Sequence, residues 1–194
     1  MALEKSEKTR EKIIEQTIEL IKESDGDTEK VTIRKIAERS QISVGLVNHY
    51  FESKDILFEI CVQHIIFGVI SSFRPDVEKS GNRVEILQRV AKQVMDFLMD
   101  NQQISKISIL GDLTHPKEMD NTMGTVLGFA GSVSDKKPSE NDIKRAFMLT
   151  AILQESFLRK DILKLSLGVD FYDKSERDNY IDYIINRLMG NEEY

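Results

Sequence analysis

The chain has no tryptophan, one cysteine and three prolines among its 194 residues, and each shortage closes off a class of protein. A single thiol, Cys61, excludes an internal disulfide and suits a reducing cytoplasm. No apolar run approaches the roughly 18 residues of a membrane-spanning helix. The opening MALEKSEKTREKIIE is charged from its start, without the apolar centre of a signal peptide. Three histidines and one cysteine form no H-E-x-x-H or paired C-x-x-C pattern, so no metal and no cofactor is expected. A glycine-rich phosphate loop and a G-x-S-x-G elbow are also missing, which leaves an enzyme reading without a motif. Positive charge is short as well. The formal net charge is −6, and residues 1–57 carry ten Lys/Arg against twelve Asp/Glu. A protein that coats nucleic acid by charge alone is thereby excluded.

What is present is helix-forming pattern. Apolar residues make up 40% of the chain and charged ones 31%, a globular balance. Their spacing is helical rather than alternating almost everywhere, so the expected fold class is all-α. The first helix is expected over about 5–24, with Ile13, Ile14, Thr17, Leu20 and Ile21 on one face and Gly26 positioned for a positive-φ stop. A short helix over about 32–39 starts at Thr32, whose hydroxyl can cap it. Another follows over about 43–50, and Ser53 caps a fourth that runs from Lys54 to the break at Arg74-Pro75. Beyond Pro75 the expected helices are 83–101, 104–113, 116–133, 139–167 and 175–189. Ser139 and Ser175 each stand three residues before an aspartate, close to a capping box. The longest flexible connection is expected at 131–139.

Two short helices with a tight break between them outline a helix-turn-helix, whose second helix fits a DNA major groove. In SVGLVNHYFESK, residues 43–54, Val47 and Phe51 turn inward with Val44 on the same side. Ser43 and Gly45 are small, and Leu46 is an apolar side chain that the geometry exposes, suited to a thymine methyl. Asn48, His49 and Tyr50 can donate hydrogen bonds to phosphates or bases. Lys54 joins its charge to the free amides of a helix start, and both favour a phosphate. From residue 28 to 54 the balance is five cations against three carboxylates. Binding would therefore work by local fit.

Ile13-Ile14 and Leu20, then TIRKIAERSQIS at 32–43, then GLVNHYFESKDILF at 45–58 with Phe51, Ser53, Lys54 and Leu57, resemble the TetR family of bacterial transcriptional regulators. The resemblance covers roughly residues 8–60. It implies a DNA-binding domain at 1–54 and a helical ligand-binding and dimerisation domain at 55–194. It further implies a repressor that a small-molecule inducer releases from double-stranded operator DNA. Carried over residue by residue, Thr32 touches phosphate, Gly45 and Leu46 face base edges with Val44 near the groove, His49 and Tyr50 contact backbone, and Lys54 clamps a phosphate. Arg34 faces the groove in some relatives. Asn48 departs from the tyrosine that many members carry, and a phosphate contact there is less secure. A small-molecule carrier whose helix-turn-helix no longer binds DNA is the rival reading, and an all-α enzyme comes third.

The body shows two apolar stripes. AFMLTAIL at 146–153 is apolar almost all round, and Tyr180, Ile181, Ile184, Ile185 and Leu188 line one face of the last helix. The family pairs such helices across a two-fold axis. A homodimer through Ala146, Thr150, Leu153, Phe157, Ile181, Ile184, Ile185 and Leu188 is the corresponding expectation, although both stripes also suit an intrachain core. Ligand-pocket candidates are His64, Met95, Leu98, Met99, Ile107, Leu110, Met123, Leu127 and Phe147. Methionine and phenylalanine at helical spacing equally describe ordinary core.

Overall fold

The computed structural model describes residues 2–72, 82–134 and 137–190, and every element among them is an α-helix. They are α1 Ala2–Glu23, α2 Ile33–Ser40, α3 Val44–Tyr50, α4 Lys54–Ser72, α5 Arg83–Asp100, α6 Gln102–Thr114, α7 Asn121–Ser132, α8 Glu140–Leu158, α9 Leu163–Leu167 and α10 Lys174–Met189. The break at Arg74-Pro75 lies outside the described residues, as do residues 135 and 136 of the expected flexible connection. The chain forms two compact units. One comprises Met1–Val69 with Asn101–His115, and the other Ile70–Asp100 with Pro116–Tyr194.

The first unit contains α1, α2, α3, α6 and most of α4. Ile13, Ile14 and Ile21 of α1 are buried, as the helical spacing requires, with Thr17 buried beside them. Thr17 Oγ1 donates to the Ile13 carbonyl at 2.7 Å, which satisfies a hydroxyl that would otherwise be costly to bury. Gly26 ends the turn after α1 at φ 78°, and its amide reaches back to the Ile21 carbonyl at 2.9 Å. Leu57, Phe58, Cys61, Val62 and Ile66 of α4 are buried in the same unit. Packing therefore does not divide the chain at residue 54. Burial pushes the Cys61 thiol up to about 12, so it behaves as an inert apolar side chain.

The α1–α2 turn and α4 are both tied to α6. The Thr28 amide donates to Gln103 Oε1 at 3.1 Å. Gln63 Nε2 of α4 donates to the Ser108 carbonyl at 3.2 Å and to Asp112 Oδ1 at 2.8 Å, and Ser108 Oγ donates to Gln63 Oε1. Close approach here depends on Gly111. A Cβ at that position would meet Gln63 Nε2 and Glu59 Cγ at 3.1 Å.

The second unit places α8 against α5, α7 and α10, and α10 against α5. Three helix boundaries differ from the sequence expectation. Helix α7 starts at Asn121 rather than 116, because the Asp120 carboxylate accepts from the Met123 amide at 2.9 Å and caps it there. The expected helix 139–167 is two helices. Its Ser139–Asp142 capping box is present, but α8 ends at Leu158 in a turn closed by the Ile162 amide on the Arg159 carbonyl, and α9 ends at Gly168 with φ 71°. Helix α10 is capped by Asp173, which accepts from the Glu176 amide at 3.0 Å, and not by Ser175. An ion-pair seam that spacing does not announce joins α5 to α10: Lys92 with Asp182, and Asp96 with Lys174 and Arg177. Burial raises the Asp96 carboxyl, but the hydrogen bonds from Lys174 and Arg177 outweigh it and hold the group below its ordinary value.

Candidate nucleic-acid interface

Local chemistry builds the helix-turn-helix. Thr32 Oγ1 accepts from the Lys35 amide at 3.3 Å and starts α2; Ser43 Oγ accepts from the Leu46 amide at 3.2 Å and starts α3. Between them Gln41 takes the left-handed conformation at φ 57°, and the Ile42 amide returns to the Ala37 carbonyl at 3.0 Å. This is the turn usually assigned to glycine, closed here by a residue for which positive φ costs about 1–2 kcal/mol. Ile36, Ala37, Val47 and Phe51 are buried and hold the two helices to the unit. Arg10 lies 5.2 Å from the Phe51 ring centroid and covers its outer side.

What remains outside is mostly small and polar. Thr32, Arg34, Ser43, Gly45, Asn48 and His49 are exposed, and Tyr50 is half-buried with its ring edge-on to His49 at 5.5 Å. A side chain at Gly45 would meet only Ser43 Oγ, at 3.9 Å, so the helix surface there is open. Two positions differ from the sequence geometry. Val44 is 42% exposed despite sharing a side with Val47, since the first residue of a helix has no preceding turn to cover it. Leu46 is half-buried rather than exposed.

The cations are more committed than the sequence indicates. Lys30 pairs with Asp27 at 2.9 Å, and Arg39 Nη1 donates to Glu23 at 3.2 Å. Lys35 Nζ donates to the Lys30 carbonyl at 2.9 Å. Lys54 Nζ donates to the Thr28 carbonyl at 3.1 Å and sits 4.7 Å from the Phe58 ring centroid. Ser53 caps α4 through the Ile56 amide. Lys54 thus stands at the first turn of α4 with part of its hydrogen-bonding capacity already used.

Residues 13–61 match the family of bacterial regulatory proteins called the tetR family. The amino-terminal domain is a TetR-family domain. The HTH-type transcriptional regulator BetI 1 of Chromohalobacter salexigens is 28% identical over 97 residues, which are 50% of this chain and 46% of that protein. The chain thus aligns with less than half the length of that relative. The HTH-type transcriptional repressor KstR of Mycolicibacterium smegmatis is 21% identical over 198 residues, covering 95% of this chain and 88% of that protein. A TetR transcriptional regulator from Rhodococcus sp. RHA1 shares the fold with a TM-score of 0.62 at 18% identity, over 96% of this chain and 99% of that one.

Outside the TetR-family domain, the site residues expected from sequence range from buried to exposed. Ala146, Thr150, Leu153, Phe157, Ile181, Ile184 and Ile185 are all buried within the single chain, and Leu188 is half-buried. The buried seven belong to the core of the second unit, where α8 packs against α5, α7 and α10, and Leu188 keeps part of its surface exposed. The outward side of α8 instead carries Phe147 at 52% exposure, Met148 at 45%, and Ala151. The pocket candidates differ in burial. Met95 is a buried core residue, whereas His64, Leu110, Leu127 and Phe147 are exposed. Ile107 and Leu110 do come together, in a groove of about 420 Å³ in the first unit that Thr28, Lys54, Phe58, Glu59 and His115 also line. Sequence periodicity could not find that groove, because residues far apart in the chain build it.

Proposed function

We propose that this protein is a ligand-responsive, sequence-specific DNA-binding regulator, acting as a repressor that a small-molecule inducer releases from its operator. The observation that carries the reading is the capped, seven-residue α3, whose buried Val47 anchors it while Ser43, Gly45, Asn48 and His49 face outward. Small residues let a helix approach base edges closely, and the polar ones can bond to bases or phosphates. Thr32 and Arg34 on α2, with Val44, Leu46, Tyr50 and Lys54, complete the proposed contact set. Lys54 keeps two ammonium hydrogens beyond the one given to Thr28, enough to meet a phosphate without leaving its place.

The protein acts as a homodimer in this reading, with Phe147, Met148 and Ala151 of α8 against a second copy. Two copies of α3 would then enter successive major grooves about 34–36 Å apart on one operator. A ligand weakens operator binding only if it binds the DNA-competent arrangement less well than the other. The names of the two aligned relatives, a transcriptional regulator and a transcriptional repressor, agree with the reading.

Gel shifts on the DNA flanking the protein's own gene, at several salt concentrations, test it. The expected result is a shift whose affinity falls with salt. Lys54→Ala should weaken every fragment alike and lower the salt slope by about one. A protein that shifts no fragment even at low salt is not this regulator, and the small-molecule carrier then becomes the better reading.

A further inference from the structure

The groove in the first unit has the makings of a ligand site with a definite charge preference. Its volume of about 420 Å³ falls in the roughly 300–1,000 Å³ range of small-molecule sites. The apolar part is Phe58, Ile107 and Leu110, of which Leu110 is 42% exposed. Around it stand the carboxylates of Glu29, Asp55 and Glu59, against one lysine, Lys54. That ammonium is already engaged by the Thr28 carbonyl and the Phe58 face. The groove therefore stabilises one ammonium group by the same means that would attract another: carbonyl oxygen, aromatic face and surplus negative charge. His115 stands beside Glu59, its Nδ1 3.4 Å from Oε1. Gly111 leaves room for the Glu59 stem to lie along α6, where any Cβ would crowd it at 3.1 Å.

We infer that this groove binds a small organic cation, an ammonium group on an aromatic or short alkyl body. The apolar body covers Phe58, Ile107 and Leu110, and the charged end lies toward Glu59 and Asp55. An anion of the same shape would face three carboxylates, and a neutral molecule would leave them without a counter-charge. The inference deepens the small-molecule part of the proposed function and rests on it. The walls include the α1–α2 turn and the first turns of α4, so an occupant touches the segments that flank the helix-turn-helix.

Binding is read directly, without DNA, by methyl-resolved NMR titration of the full chain. The probes are phenethylammonium, its neutral counterpart 2-phenylethanol and its anionic counterpart 3-phenylpropanoate. Phenethylammonium should saturate with shifts at Ile107 and Leu110, at least about tenfold more tightly than either counterpart. Glu59→Gln should weaken it several-fold, and Leu110→Lys, a change at an exposed position, should abolish it while the thermal midpoint is retained. Equal affinity for the three probes overturns the inference, as does an affinity unmoved by both variants. No saturation by phenethylammonium at concentrations above about 10 mM, beyond the weakest range of specific binding, also overturns it. Saturation with shifts only at Met95, Met123 or Leu127 overturns the groove while leaving a ligand-responsive protein intact. Operator binding measured on the same samples shows separately whether the DNA-binding reading stands.

Discussion

Helices α3 and α8 each bury one side and expose another, but their exposed sides differ in kind. On α3 the outward residues are Ser43, Gly45, Asn48 and His49, with Val44 the one sizeable apolar side chain exposed among them. On α8 they include Phe147, Met148 and Ala151, an apolar patch between Lys144 and Glu155. A polar, small-residue face costs nothing in water and accepts a hydrated, charged partner such as DNA. An exposed Phe and Met are stabilised by being covered, which points to another protein surface. The same helical pattern thus yields two surfaces of different chemistry, and the residues outside the buried stripe tell them apart.

The contrast can be broken most sharply from the inside. Phe157 is fully buried in the α8 core, and Phe157→Ala should cost about 3–5 kcal/mol in denaturant unfolding. Ten positions earlier, Phe147→Ser should leave stability of the chain nearly unchanged but weaken self-association by about 2 kcal/mol, measured by sedimentation equilibrium. An unaltered association constant would remove α8 from the dimer. On the other surface, Gly45→Glu has room for its side chain and should fold at least as well. Its carboxylate should nevertheless lower operator affinity by about tenfold or more in a gel shift, since in the proposed docking it brings a negative charge into a groove bordered by phosphates. The smallest effect concerns the turn that presents α3. Gln41→Gly should raise stability by about 0.5–1 kcal/mol by removing the positive-φ strain, with operator binding kept. A loss of stability there would mean that the Gln41 side chain does more than tolerate the turn.

Much of the first unit is legible in the order of its residues. Thr32 and Ser53 cap the helices that their positions predict, Ser43 caps the helix expected over about 43–50, and Gly26 takes the positive φ expected of it. These features are local: a cap joins residues three apart, and a turn needs only its own φ. The second unit is less legible for the opposite reason. The stripe Ala146, Leu149, Thr150, Leu153, Phe157 and the stripe Ile181, Ile184, Ile185 are both readable as buried, but nothing in either says against what. Within the chain α8 packs against α5, α7 and α10, and α10 packs against α5 and α8. Sequence also misplaces the cap of α10, which is Asp173 and not Ser175.

By itself the sequence determines an all-α chain, a capped helix-turn-helix near its amino terminus, and the inward turn of Val47 and Phe51. Those follow from periodicity and from bonds spanning three or four residues. Only the tertiary structure decides that Lys54 rests on the Thr28 carbonyl and Phe58, that α6 belongs with the first unit, and that Ile107 and Leu110 meet three carboxylates in one groove. Apart from Lys54 on Phe58, four residues along one helix, those contacts join residues dozens of positions apart, where burial of apolar surface and pairing of charge settle the outcome and the spacing along the chain carries no record of it.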